Sequence, residues 1–275
     1  FCPVEYKITP PSKLSLGFKE LWAYRELFYF FTWRDIKVKY KQTFLGFAWA
    51  ILQPLVLMII FSVFFGRALN VPSDGIPYPL FSFSGLMLWN VFSTGLSGAG
   101  NSMVSNANII KKIYFPRLII PMSSILVAVF DFFMAFLVYL GLVFYYGYGL
   151  SWQLLYILPI SLILTIIATF GPGTLIAAMN VKYRDFRYIL PFLIQILLFL
   201  TPVIYPVSMV ANYPWLQKAL ALNPMYAPIS LIRNVLIDRP LQLDLVFVSI
   251  ASGFMFLLVG ILYFRKTESY FADLA

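Results

Sequence analysis

From Trp33 to Gly66 the chain runs WRDIKVKYKQT straight into FLGFAWAILQPLVLMIIFSVFFG, with no ionisable side chain between Lys41 and Arg67. A helix over residues 44–66 would reach about 34 Å at about 1.5 Å per residue, enough to cross a hydrocarbon layer of about 30 Å. The basic run before it, Arg34, Lys37, Lys39 and Lys41, is costly to translocate and belongs on the cytoplasmic side. This junction therefore predicts both where the chain resides and which way it points. Composition agrees: 61% of residues are hydrophobic and 11% charged, against about 25% charged in soluble domains. So much apolar surface cannot be hidden in a soluble globule. The net charge of +9 does not point to nucleic acid, because the basic residues sit beside the apolar runs, as topology signals do.

Counting outward from that junction predicts six spans: 44–66, 78–100, 118–145, 154–180, 188–206 and 245–264. The expected class is all-α integral membrane. A cytoplasmic segment over 1–43 precedes a six-span domain over 44–275. Residues 1–17 are polar, proline-punctuated and expected to be extended; the chain opens on Phe, so earlier residues are expected to be missing, and no cleavable signal is evident. Residues 18–43 have helical character, with Arg34, Lys37 and Lys41 on one face and Trp33, Ile36 and Tyr40 beside them. Such a helix suits the membrane interface, either as a topology anchor or as a docking surface whose cations meet anionic headgroups. With both termini inside, sixteen of the twenty Lys and Arg fall on the cytoplasmic side and four outside.

The segment 207–244 is too long and too apolar for a solvated connection. It reads as two short helices split at Asn223–Pro224, neither long enough to span. They are expected either to re-enter the membrane and cap the outer end of the bundle, or to rest on its surface.

There is little chemistry to find. No G-x-x-x-x-G-K-[ST] loop occurs, and with no histidine and a single cysteine, Cys2, neither disulfides within the chain nor histidine metal or triad sites can form. Asp131 is the one carboxylate inside an expected span, with no evident basic partner in a neighbouring span. It is either a transport group or a buried packing residue. Aromatic residues reach 19%, and some lie beside isolated amides: Phe192, Gln195 and Phe199 share a helical face, and Trp49 and Gln53 stack at i, i+4. Rings and amides together can hold a sugar, or can simply pack helices.

Several long blocks resemble the permease subunits of polysaccharide-exporting ABC transporters, the family that includes O-antigen and teichoic-acid exporters. They are RDIKVKYKQTFLGFAWAILQPLVLMIIFSVFFGR, FSFSGLMLWNVFSTGLSGAGNSMVSNANIIKKIYFPRLIIP, AAMNVKYRDFRYILPFLIQILLFLTPVIYP and LNPMYAPISLIRNVLI, in family order over residues 33–237. The resemblance implies a homodimer of six-span permeases in a bacterial inner membrane, paired with two ATPase subunits. No cofactor is then expected in this chain; ATP and Mg2+ would be held by the partner. The resemblance also implies an N-terminal interface helix, which would offer Arg34, Lys37 and Lys41 to the pyrophosphate of an undecaprenyl-linked polysaccharide. The turn carrying Asn106, Asn108, Lys111, Lys112 and Arg117 would couple to the ATPase. Trp49, Gln53, Phe192, Gln195 and Phe199 would line the translocation path, and Asn223, Pro224, Tyr226 and Arg233 would belong to an outer gate. Two rival readings remain: a drug or lipid exporter of the same general class, and a proton-coupled transporter in which Asp131 is indispensable.

Overall fold

The computed structural model describes residues 18–41, 46–149, 151–183, 185–237, 241–268 and 271, with the side chains of 18–20 left aside. The extended segment expected over 1–17, and Phe44 and Leu45 at the start of the first expected span, lie outside these residues. Within them every regular element is helical. Two N-terminal helices, α1 (Phe18–Ala23) and α2 (Arg25–Lys41), replace the single helix expected over 18–43. Next come α3 (Ala48–Phe61), continued by π-helical turns to Ala68, and α4 (Tyr78–Ser105), then the four-residue α5 (Ala107–Ile110). The long helices α6 (Ile119–Tyr145) and α7 (Trp152–Lys182) precede the shorter α8 (Phe186–Leu200). The chain closes with α9 (Pro214–Ala221), α10 (Tyr226–Ile237) and α11 (Leu243–Thr267).

Among the described residues, four segments are both long and apolar enough to cross a membrane: 48–68, α6, α7 and α11. The other two expected spans meet one requirement each. α4 has 28 residues, about 42 Å, but its sequence is diluted by Ser, Thr, Asn and Gly. α8 is apolar but has 15 residues, about 22 Å, and does not run to residue 206 as expected. The cause is local: Thr201 precedes Pro202 and is pushed out of the helical region, to a ψ of 136°. The two outer helices form as expected, bent 108° from one another around Asn223–Pro224.

The core is built on α4, which packs along α6 on one side and α7 on the other. Leu80, Phe83, Leu86, Met87, Leu88 and Leu96 are fully buried along it. Its polar residues are accommodated because their hydroxyls donate back to its own carbonyls: Ser84 to Phe81 O at 2.8 Å, Thr94 to Asn90 O at 2.5 Å and Ser102 to Ala99 O at 2.6 Å. Asn180 of α7 ties the pair together by donating to Gly100 O at 3.0 Å.

α7 and α11 come closer still. A Cβ on Gly260 would lie 2.1 Å from the Gly171 carbonyl oxygen, and one on Gly171 would lie 2.5 Å from the Leu257 backbone nitrogen. Backbone therefore rests on backbone, the approach that small residues permit between helices in lipid. Gly260→Ala should cost about 3 kcal/mol by forcing the helices apart, seen as a lower detergent unfolding temperature. Gly141→Ala in α6, where a Cβ meets nothing within 4 Å, should leave that temperature unchanged or slightly higher.

Candidate functional site: a membrane groove, a basic turn and a capped outer hairpin

Helices α3, α4 and α8 surround an open groove of about 170 Å³. Gln53 of α3 and Gln195 of α8, far apart in sequence, both line it. From α4 it receives Trp89, Asn90 and Ser93, which sequence reasoning missed. Their signal was present: an indole followed by an amide and, three residues on, a hydroxyl, in a run without charge. The groove thus offers amide and hydroxyl hydrogen bonds beside an indole that is 5% exposed. Trp49, Phe192 and Phe199 are not among its walls. They stand on the outward faces of α3 and α8, 53%, 64% and 56% exposed, among other exposed apolar side chains such as Val56, Ile59 and Ile196.

The turn 106–117 divides into a braced base and a projecting tip. At its base, the Asn106 side-chain oxygen accepts from Arg34 of α2 at 2.8 Å, and its amide donates to Ser102 O at 2.9 Å. Arg117 donates from its backbone to the Glu268 carboxylate at 3.3 Å and from its guanidinium to the Glu268 carbonyl, and it lies 5.8 Å over the Phe271 ring. Glu268 is held in turn by Arg265 at 2.9 Å. Asn108, Lys111 and Lys112 are exposed at the tip, with Ile113 and Tyr114 beside them. Of the residues expected to act together here, three present themselves outward and two hold the turn in shape.

The three cations expected at lipid headgroups also separate. Arg34 is occupied by Asp35, at 2.7 Å, and by Asn106. Lys37 lies 5.3 Å over the Trp33 ring and Lys41 is exposed, so these two remain at the surface. Trp33 is 45% exposed and stacks on Tyr29, while Phe31, Ile36 and Tyr40 form the buried face of α2.

Asp131 has partners that the sequence reading did not find. Lys39 and Tyr40, adjacent on α2, donate to its two carboxylate oxygens. The basic partner comes from the N-terminal helix and not from another span. Burial, helped by the Asp131 carboxylate, pushes the Tyr40 phenol above its ordinary range, so it stays protonated and donates.

At the hairpin, two of the expected gate residues, Asn223 and Arg233, have structural tasks. Asn223 donates to Thr201 Oγ1 at 2.7 Å and accepts from the Met225 backbone at 3.0 Å, which holds the bend. Pro224, at the bend, is half-buried, and Tyr226 is 3% exposed. Ser249 and Ser252 of α11 donate to the carbonyls of Asn223 and Leu222 at 2.9 and 2.6 Å. Arg233, 7% exposed, caps the unwound chain after α8: it donates to Pro202 O at 2.5 Å, Val203 O at 2.7 Å and Phe81 O at 3.2 Å, with its guanidinium 3.6 Å over the Phe81 ring.

Residues 26–237 match the ABC-2 type transporter family, so this chain belongs to the membrane subunits of that transporter class. It is 29% identical over 242 residues to the O-antigen export system permease protein RfbA of Klebsiella pneumoniae, covering 88% of this chain and 92% of that one. The RfbA permease of Myxococcus xanthus is 30% identical over 209 residues, 75% of this chain and 78% of that one. The polysialic acid transport protein KpsM of Escherichia coli is 23% identical over 215 residues, 73% and 77% of the two chains.

Two outcomes follow from the geometry. Arg233→Lys keeps the charge but loses the forked donor set, so it should cost about 3 kcal/mol of stability, read as detergent thermal unfolding. Lys111→Glu with Lys112→Glu changes only the exposed tip. It should leave unfolding unchanged within about 0.5 kcal/mol and abolish any binding of a partner through that tip, measured by co-purification.

Proposed function

We propose that this chain is the permease subunit of an ATP-driven exporter of lipid-linked polysaccharide, working from the cytoplasmic to the outer side of a bacterial inner membrane. The observation that carries this reading is the match to O-antigen export permeases over most of both chains. In this reading α3, α4, α6, α7, α8 with the turn after it, and α11 are the six spans, and both termini are cytoplasmic. Two copies pair through the exposed apolar faces of α3 and α8, which places Trp49, Phe192 and Phe199 along the path between them. Two ATPase subunits, which bind ATP and Mg2+, engage the tip of the turn 106–117. An undecaprenyl pyrophosphate head meets Lys37 and Lys41 at the inner surface.

The groove supplies the selectivity. Gln53, Asn90 and Gln195 offer hydrogen bonds to sugar hydroxyls, and Trp89 offers an apolar edge. Contacts of that kind are individually weak, as a moving polymer requires: binding must favour entry and still release at each step. The α9–α10 hairpin closes the outer end and yields when the chain arrives.

The test is reconstitution of the chain with its cognate ATPase in vesicles, with lipid-linked glycan supplied on the ATPase side. Export should require ATP and both proteins. Gln53→Leu with Gln195→Leu should lower export about five-fold per assembled complex, at about 1 kcal/mol for the lost hydrogen bonds, with unchanged unfolding temperature. Glycan export that is indifferent to ATP, or transport of lipids in preference to glycan, would overturn the assignment.

A further inference from the structure

Asp131 stands near the middle of the 27-residue α6, about 18 Å along the helix from Ile119. It is 2% exposed, and both carboxylate oxygens are taken, one by the Lys39 ammonium and one by the Tyr40 hydroxyl. The two donors are neighbours in the last turns of α2, so they grip the carboxylate from either side. Around the grip, Tyr40 packs 6.3 Å from Phe130 and 4.5 Å from Phe47, and Ile36, Ala50 and Val127 belong to the same buried cluster. Lys39 sits at the rim, with 41% of its side chain exposed, while Asp131 is sealed behind it.

The other half of α2 is fastened elsewhere. Arg34 donates to Asn106 at 2.8 Å, and the Phe31 ring lies 5.6 Å from Phe115. Both of those partners belong to the turn 106–117. Between Lys111 and Leu118 the covalent route from this turn to α6 contains no helix, and such a route transmits a displacement poorly. α2 offers a second route: one continuous 17-residue helix fixed to the turn along its middle and to the interior of α6 at its C-terminal end.

We propose that Asp131 is a positioning residue which locks α2 onto α6, so that displacement of the turn 106–117 reaches the middle of α6 through α2. The lock stays closed throughout a transport cycle. Asp131 is then no proton carrier, since both of its oxygens are held and neither is offered to a wet path. The inference rests on the reading above in which the turn receives the ATPase. A buried ion pair that serves only as a fastener can be replaced by an apolar pair of similar volume, whereas removing one partner strands the other. The same replacement would be fatal to a proton carrier.

The experiment compares the wild-type chain, Asp131→Ala, and the triple variant Lys39→Leu, Tyr40→Phe and Asp131→Leu, which removes both donors with their acceptor, each assembled with the ATPase in lipid nanodiscs or vesicles. Two quantities are read: amide hydrogen exchange of α2, and glycan exported per ATP hydrolysed by assembled complex. In Asp131→Ala, exchange over the second half of α2 should rise about ten-fold or more as the lock opens. Export per ATP should fall about ten-fold while ATP hydrolysis persists. The triple variant should return both quantities to within about two-fold of wild type. Unchanged α2 exchange in Asp131→Ala would show that the lock does not hold the helix. Normal export per ATP in that variant would reduce the contact to packing alone, and a triple variant as defective as the single one would restore the carboxylate to a direct role. Failure of the parent reading shows itself separately: the wild-type complex then moves no glycan, and the exchange measurement still decides the lock.

Discussion

A backbone amide or carbonyl left without a partner in hydrocarbon costs several kcal/mol, so every interrupted helix at that depth needs something to close its open end. This requirement shapes the molecule wherever a helix stops short. α8 ends at Leu200 because Thr201 and Pro202 cannot continue it, and the carbonyls of Pro202 and Val203 would be stranded without Arg233. The bend between α9 and α10 is closed by Asn223 and by the hydroxyls of Ser249 and Ser252. Without these side chains the outer hairpin and the short α8 could not lie against the bundle. The groove walled by α3, α4 and α8 would lose one of its sides.

The same economy explains why the least apolar of the long helices occupies the centre. α4 is rich in Ser, Thr, Asn and Gly, and its hydroxyls return to its own carbonyls. It can then be flanked by both α6 and α7 at close range while still carrying Asn90 and Ser93 into the groove. The strongly apolar helices α6, α7 and α11 expose large side chains such as Leu137, Ile163 and Leu258 on their outer sides. Polarity is thus greatest at the centre and least at the rim, the reverse of a soluble domain.

Much of this was legible from periodicity and charge. The long apolar runs gave α6, α7 and α11 within a few residues, and Asn223–Pro224 marked the bend between α9 and α10. What stayed hidden depended on which helices meet. Nothing local connects Asp131 with Lys39 and Tyr40, 92 and 91 residues earlier, and they sit on α2 and not on a neighbouring span. Helical spacing placed Arg34 with Lys37 and Lys41, but could not reveal that Asn106 and Asp35 already occupy its guanidinium. Gln53 and Gln195 stand out in sequence as isolated amides, but only the packing of α4 between their helices, with Trp89, Asn90 and Ser93, shows that they line one groove. Proline chemistry explains why α8 stops short of residue 206: apolarity continues past Leu200, but Pro202 forces Thr201 out of the helix.

The brace between Arg117 and Glu268 spans 151 positions of sequence. A ribosome delivers those positions in order, so the turn 106–117 emerges long before the residues that finish its base. Until α11, Glu268 and Phe271 have been made, Arg117 lacks both that carboxylate and that ring. The Arg117 side of the base is therefore completed only once Glu268 and Phe271 are in place. A chain stopped before Glu268 would hold that turn through Asn106, with its Arg117 end unfastened.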